Sequence, residues 1–324
     1  MKTSEILGLN FFKYYVFFAF YCSTFSQNDS IIKSTYIKTF QDKISTRASI
    51  INTSNSFYIY DKESGDHYIL EPNKTNYLGF SILFRSIEID YGFSPNFLSE
   101  NKDNKDSRLF TFNSRMFYNQ WMQTIDFYNQ KGFYFKDESN KVELPGVKSL
   151  KVGGSTSYIF NKNFSFRAIG FQNEWQIKSA GSFIPRLYYY YTKYKLEEDN
   201  INEKANTFNI AIAPSYYYNL AITKNILFSL GGSAGIGVNH SNNLGSENLT
   251  SALFEFTGRA VISYNSDSFF GGINSNIVIL KHNVDKTTRQ DDEITYLEFY
   301  IGYRFKAPKK WINFADNFNE KYGL

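Results

Sequence analysis

Cysteine is nearly missing: the one thiol among 324 residues is Cys22. It lies in a stretch expected to be removed, so the mature chain has no means to form disulfides, cysteine nucleophiles or cysteine-based zinc sites. A long apolar run is missing too. No window reaches the roughly 18 uninterrupted apolar residues of a membrane-spanning helix, and the mean hydropathy is −0.40. Lysine and arginine form no cluster on an expected helix, and a formal charge of +4 is small for this length, so no nucleic-acid partner is expected. The helix formers Ala, Leu and Glu are scarce, which argues against an α fold.

Aromatics are abundant instead. Phe (33) and Tyr (26) bring the aromatic share to 19%, beside many Asn and Ser, a composition that favours strands. The opening MKTSEILGLNFFKYYVFFAFYCSTFSQNDS sets Lys2 and Lys13 ahead of the apolar YYVFFAFYC and then small or polar residues. This is the layout of a secretory signal peptide over 1–26, with a cut after Ser26; the other reading is a buried or anchoring N-terminal helix. Bulky Tyr21 before Cys22 argues against lipoprotein processing. The remaining divisions expected are a periplasmic lead over 27–43, a barrel over 44–305 and a periplasmic tail over 306–324.

From about Ile44 onward, apolar and polar residues alternate. SIEIDYGF (86–93) sets Ile87, Ile89, Tyr91 and Phe93 against Ser86, Glu88, Asp90 and Gly92, and YLEFYIGYRF (296–305) repeats the theme. Tight turns are expected at 84–86, 118–120, 161–163, 219–225 and 265–268, and long charged loops at 99–106, 136–146, 196–206, 240–248 and 283–293. Short turns at one end and long loops at the other are the asymmetry of an outer-membrane barrel. A soluble sandwich would show the same period with its oily face inward. Three features favour the barrel: polar faces rich in Gly, Ser and Tyr but sparing with Lys, aromatics near the turns, and the need to hide sheet edges, which closure meets. The fold expected is therefore all-β, an antiparallel transmembrane β-barrel of about 12 strands. The stretch FSFRAIGFQNEWQIKSAGSFIPRLYYYYTKYK breaks the parity of turns and loops, and alternation alone does not resolve it. After Pro308, Trp311, Phe314, Phe318 and Tyr322 fall on one helical face, the pattern of a short interfacial helix; a frayed tail is the other reading.

The alternation assigns faces. Phe228, Phe254, Phe256, Leu297, Phe299, Ile301 and Phe305 are expected against lipid. Arg47, Glu88, Asp90, Arg115, Asp126, Arg186, Glu255, Arg259, Glu298 and Arg304 are expected in the lumen, where forked guanidiniums suit carboxylates. Such a lumen is either a charge-lined pore or a self-plugging ion-pair network. Inward Tyr188, Tyr190, Tyr217 and Tyr300 take up space and favour the second. Glu255 and Arg259 lie four apart on one strand, roughly 13 Å by strand rise, so each is expected to bond to neighbouring strands. The Gly/Ser face of 229–237 leaves room for bulky side chains opposite or for a small pocket. SAGSF (179–183) reads as a turn, and DDE (291–293) as a solvated charge run rather than a calcium site. The histidines are His67, His240 and His282; His240-Ser241 is a poor base and nucleophile pair, because neighbours on a strand point oppositely.

ILEPNKTNYLGFSI (69–82), FNKNFSFRA (160–168), QIKSAGSF (176–183) and IGYRFKAPK (301–309) together resemble domain-of-unknown-function family 4421 across nearly all of the mature chain. The resemblance implies a bacterial outer-membrane barrel and brings no catalytic residue with it. The function expected is a porin-like barrel of structural or passive-transport type in a Gram-negative outer membrane, with no cofactor and no metal. Its expected partners are outer-membrane lipid, lipopolysaccharide and the barrel-assembly machinery, which reads an aromatic-terminated last strand such as Tyr303-Arg304-Phe305. The alternatives are a rim-acting lipid hydrolase or acyltransferase and a soluble secreted β-sandwich binding module.

Overall fold

A computed structural model describes residues 35–73, 76–95, 107–136, 141–170, 173–198, 201–243, 248–284 and 286–322. The expected signal peptide lies outside these residues. The described residues form fifteen strands: β1 (Ile37–Thr39), β2 (Lys43–Asp61), β3 (His67–Pro72), β4 (Asn76–Phe84), β5 (Ile87–Phe93), β6 (Arg108–Tyr118), β7 (Trp121–Lys136), β8 (Lys141–Tyr158), β9 (Glu174–Gln176), β10 (Ala180–Glu198), β11 (Ile201–Ala221), β12 (Ile226–Asn243), β13 (Leu249–Asn265), β14 (Phe269–Asn283) and β15 (Thr288–Lys306). Helix α1 (Lys309–Tyr322) follows them. All barrel pairings are antiparallel, and β15 closes onto β2 from Thr288↔Asp61 to Lys306↔Lys43. The ring leaves no free edge along this seam, which is how a barrel avoids exposed ladder groups.

The ring changes size along its axis. Toward the end holding Lys43 and Lys306, β4 pairs with β2 and β5, and β6 pairs with β7, giving 12 strands. Farther up, β3 lies directly between β2 and β7, and the β5–β6 hairpin drops out, leaving 10. The exchange happens at Gly132. Strand β7 holds β6 up to Lys131↔Arg108 and takes β3 from Phe133↔Pro72. Gly132 sits between them with φ +85°, a left-handed bulge conformation that glycine adopts without a Cβ clash. Its carbonyl accepts the Asn73 N–H at 3.1 Å, and Asn73 Nδ2 donates to Ser107 Oγ at 2.5 Å, which stitches the junction.

The faces separate by medium. Large apolar side chains stay exposed on the outside of the ring: Ile301 is 74% exposed, Ile236 70% and Phe299 52%. Phe254, Phe256, Leu297 and Phe305 share that face, as does half-buried Phe228. Polar side chains lie inside, among them Glu88, Glu255, Glu298 and Arg304, each 1% exposed or less. This is the reverse of a soluble sandwich. Aromatic rings gather near the lower rim, where Trp121, Tyr158, Phe160 and Phe183 form a chain with centroid spacings of 4.9, 5.1 and 5.7 Å, an interfacial belt.

Several expected loops are strand. β10 and β11 run 19 and 21 residues, whereas crossing the hydrocarbon takes about 9–11. The excess carries the sheet beyond the apolar band through much of 136–146, 196–206, 240–248 and 283–293. The 99–106 loop falls outside the described residues. SAGSF is mostly the start of β10 rather than a turn. The 161–163 turn exists but joins no barrel hairpin. It belongs to segment 159–179, whose described residues (159–170 and 173–179) fold into the mouth of the ring as a plug and account for the broken parity. Within that segment β9 pairs with β1, so the N-terminal lead is built into this closure.

Helix α1 lies outside the same rim. Trp311 packs against Phe84 at 5.9 Å, and Arg85 bonds Asp316 at 2.7 Å. Trp311, Phe314 and Phe318 are exposed on it, continuous with the apolar band.

Candidate functional site in the lumen

The plug is apolar where it meets the lower wall. Phe164, Phe166 and Ile169 are buried with Leu83, Phe117, Met122, Ile184, Tyr217 and Val261 from the strands, and Ala168 packs with Phe40, Trp175 and Leu227. Its polar groups are tied to the wall. Asn219 Nδ2 donates to the Ser165 carbonyl at 2.8 Å, Trp175 Nε1 donates to the Lys224 carbonyl at 2.9 Å, and Asn173 donates to the Arg85 carbonyl. Inside the plug, Ser165 is held by Gln176 and Glu174, and Arg167 lies over Phe117 at 4.6 Å. Gly231 makes room for this packing. A Cβ there would sit 2.2 Å from the Tyr217 ring, so the Gly/Ser face of β12 accommodates a bulky side chain opposite.

Above the plug lies the ionic network. Arg47 Nη2 reaches Asp90 at 2.9 Å and Glu88 at 3.3 Å, its Nε lies 3.6 Å from Glu298, and its Nη1 donates to the Gly170 carbonyl of the plug. Arg115 pairs with Asp90 at 3.2 Å and Glu88 at 3.4 Å. The cause is register: Glu88 opposes Arg115 across β5–β6, and Arg47 stands opposite Ser81 and Gly302 on the flanking strands. Asp126 accepts the Tyr190 hydroxyl at 2.8 Å. Glu255 accepts from Ser233 at 3.0 and 3.1 Å and from Thr257, while Arg259 Nε donates to Asn274 at 3.1 Å. Both therefore bond across strands, as their spacing required, but to uncharged groups. Arg186 bonds the Tyr188 hydroxyl at 3.0 Å. Arg304 sits apart, below the network, between the rings of Phe40 (3.9 Å) and Phe270 (4.4 Å), donating to the Ser266 carbonyl.

Sequence reasoning missed one buried pair, Lys151 with Asp292 at 3.4 Å, each side chain 1% exposed. Asp291 and Asp292 are buried strand residues rather than a solvated run. Both lie on β15 opposite Tyr58 and Phe57 of β2, a register that no local signal announced. Nearby, Phe57 meets Phe133 at 6.1 Å and Tyr194 at 5.2 Å, and Gln290 joins Tyr194 to Asp292. Between this layer and the plug remains a cavity of about 170 Å³, lined by Arg47, Asp90, Arg115, Asp126, Arg186, Arg259, Glu298 and the rings of Tyr77, Tyr190 and Tyr296.

The histidines do not converge. His240 is exposed with Nδ1 at 2.8 Å from Thr250 Oγ1, whereas Ser241 is buried on the other face, donating to Asn239. His67 is exposed against the ring of Tyr60, and His282 is buried on β14.

A closed antiparallel ring with lipid-compatible residues outside, polar residues inside, and its first and last described elements, β1 and α1, at the short-turn rim is a transmembrane β-barrel, which places the protein in the bacterial outer membrane. The profile for the domain of unknown function DUF4421 matches residues 27–305, and the chain belongs to that family. No curated protein matches it. Among solved structures, the COG4313 outer membrane channel from Pseudomonas putida F1 aligns at 8% identity over 87% of this chain and 100% of its own, with a TM-score of 0.39. OmpT of Vibrio cholerae, an outer membrane protein, aligns at 7% identity over 82% and 97%, with a TM-score of 0.36. OprG from Pseudomonas aeruginosa aligns at 12% identity over 83% and 98%, with a TM-score of 0.26.

Proposed function

We propose that this protein is a self-plugged outer-membrane barrel, structural in its resting form, which passes small solutes only when segment 159–179 leaves the lumen. The observation that carries this reading is the seating of that segment: Ile169 and Ala168 are fully buried, and the Gly170 carbonyl is held by Arg47 of the wall. A passive pore would leave its narrowest region wet and lined by mobile charge. Here the mouth is packed with apolar side chains, and every carboxylate of the central network is bonded. Outer-membrane lipid and lipopolysaccharide are then the contacts of the outer face, and the barrel-assembly machinery is the partner that inserts the chain.

Planar-bilayer recording tests the proposal. The intact barrel is expected to show no resolvable conductance steps, and a variant with 161–178 replaced by a short Gly/Ser link is expected to conduct ohmically. Equal conductance from both proteins refutes it.

A further inference from the structure

Most charges inside the barrel are matched. Arg47 and Arg115 meet Glu88, Asp90 and Glu298, Lys151 meets Asp292, and Asp126 accepts a hydroxyl. Arg186 and Arg259 are different. Each makes one hydrogen bond to an uncharged side chain, and neither forms an ion pair among the described residues. Arg186 is 8% exposed, and its Nε is buried without an acceptor. The carboxylate on the strand of Arg259, Glu255, accepts from Ser233 and Thr257 and forms no ion pair with either arginine among the described residues.

Both guanidiniums line the same cavity. They also lie over the same plug ring, Phe166, at 5.4 and 5.9 Å from its centroid, and Arg186 lies over Tyr217 at 4.9 Å. Gly170 extends the cradle: its φ is +85°, and a Cβ on it would stand 3.0 Å from an Arg259 Nη. Two buried cations facing one small space repel each other and each carry a desolvation cost, unless a negative charge lies between them. Planar guanidinium forks held on aromatic faces are suited to oxyanions, which accept two parallel N–H bonds from each fork. Asn276, also in the lining, adds an amide donor.

We propose that the cavity is a binding site for one small soluble oxyanion of the phosphate or carboxylate class, held by Arg186 and Arg259 with Phe166 as its floor. A volume of about 170 Å³ suits an ion of that size and is too small for a lipid. The inference uses the position of the plug but not its effect on conductance, so a conducting wild-type barrel would leave it standing.

The test is equilibrium dialysis of the full barrel, folded in detergent in the presence of labelled inorganic phosphate, against a chloride background. Saturable binding near one phosphate per barrel is expected, unaffected by lipopolysaccharide micelles at equal phosphate. Arg186→Gln and Arg259→Gln are each expected to weaken it at least about tenfold, the scale of a lost charge-assisted bond, while Lys38→Gln leaves it unchanged. Phosphate should raise the unfolding temperature of wild type but not of Arg259→Met, and without phosphate Arg259→Met should be at least as stable as wild type. Should an arginine variant fail to fold, Asn276→Asp serves instead: it places a carboxylate in the lining and should abolish binding. Absence of phosphate binding by folded wild type, competition by the micelles, or wild-type affinity in the folded variants overturns the proposal.

Discussion

Arg47→Met is the sharpest perturbation of the network. Arg47 touches both carboxylates of β5, Glu298 of β15 and the plug together. With it gone, Glu88 and Asp90 keep Arg115, but Glu298, fully buried, keeps, among the described residues, the Asn274 amide at 3.2 Å and no cation. Removing one partner of a buried pair costs about 3–5 kcal/mol, because the other charge stays desolvated. That range corresponds to roughly two to three and a half powers of ten in the unfolding equilibrium. The remedy follows from the same reasoning. Glu298→Gln removes the stranded charge, so the double variant should recover much of the loss, with a coupling of about 0.5–3 kcal/mol. Guanidinium unfolding of the barrel in lipid vesicles, followed by the heat-modifiable gel band, measures all four corners of the cycle. A cost below about 1 kcal/mol for Arg47→Met, or additivity in the double variant, refutes the claim that Arg47 neutralises Glu298.

Three further outcomes are expected. Ile301→Arg, at the middle of the apolar stripe of β15, should destabilise the folded barrel by about 2–4 kcal/mol in bilayers, and the same unfolding assay reads it. Gly231→Ala drives a methyl group into the Tyr217 ring and should cost about 1–3 kcal/mol by overpacking, seen as a lower unfolding temperature. At the rim, the hydrogen bond and charge of Lys38 hold the Asp267 carboxyl below its usual value. A lowered folded pKa means that this tether stabilises above the unfolded pKa of about 3.9 and is lost as pH falls through the folded value; protease nicking of the N-terminal lead should therefore increase below that pH in wild type but be pH-independent there in Asp267→Asn.

What was legible in the sequence was the period. In β5 and β15 alternation fixes which side chains share a face, and the segregation of Gly, Ser and Tyr from Phe and Ile fixes which face meets lipid. The plug was not legible, because 159–179 has no period and its partners, Arg47, Asn219 and the Arg85 carbonyl, are distant in sequence. The strand extensions were hidden for a related reason. Beyond the apolar band the outside of β2 carries Asn52 and Ser54 while the inside carries Thr53 and Asn55, so polarity no longer alternates and the strand resembles a loop. Lys151 and Asp292 needed the register of the closed ring. The reduction from 12 to 10 strands rests on Gly132, a single residue within a pattern otherwise fully strand-like.

The most direct test of a lumen filled by its own chain is thiol accessibility at Ile169, fully buried in the plug. In a Cys22→Ser background, Ile169→Cys in native outer membranes should resist a small membrane-impermeant maleimide that rapidly labels Lys224→Cys in the exposed turn once the outer membrane is permeabilised. Labelling of both sites at the same rate would contradict the account.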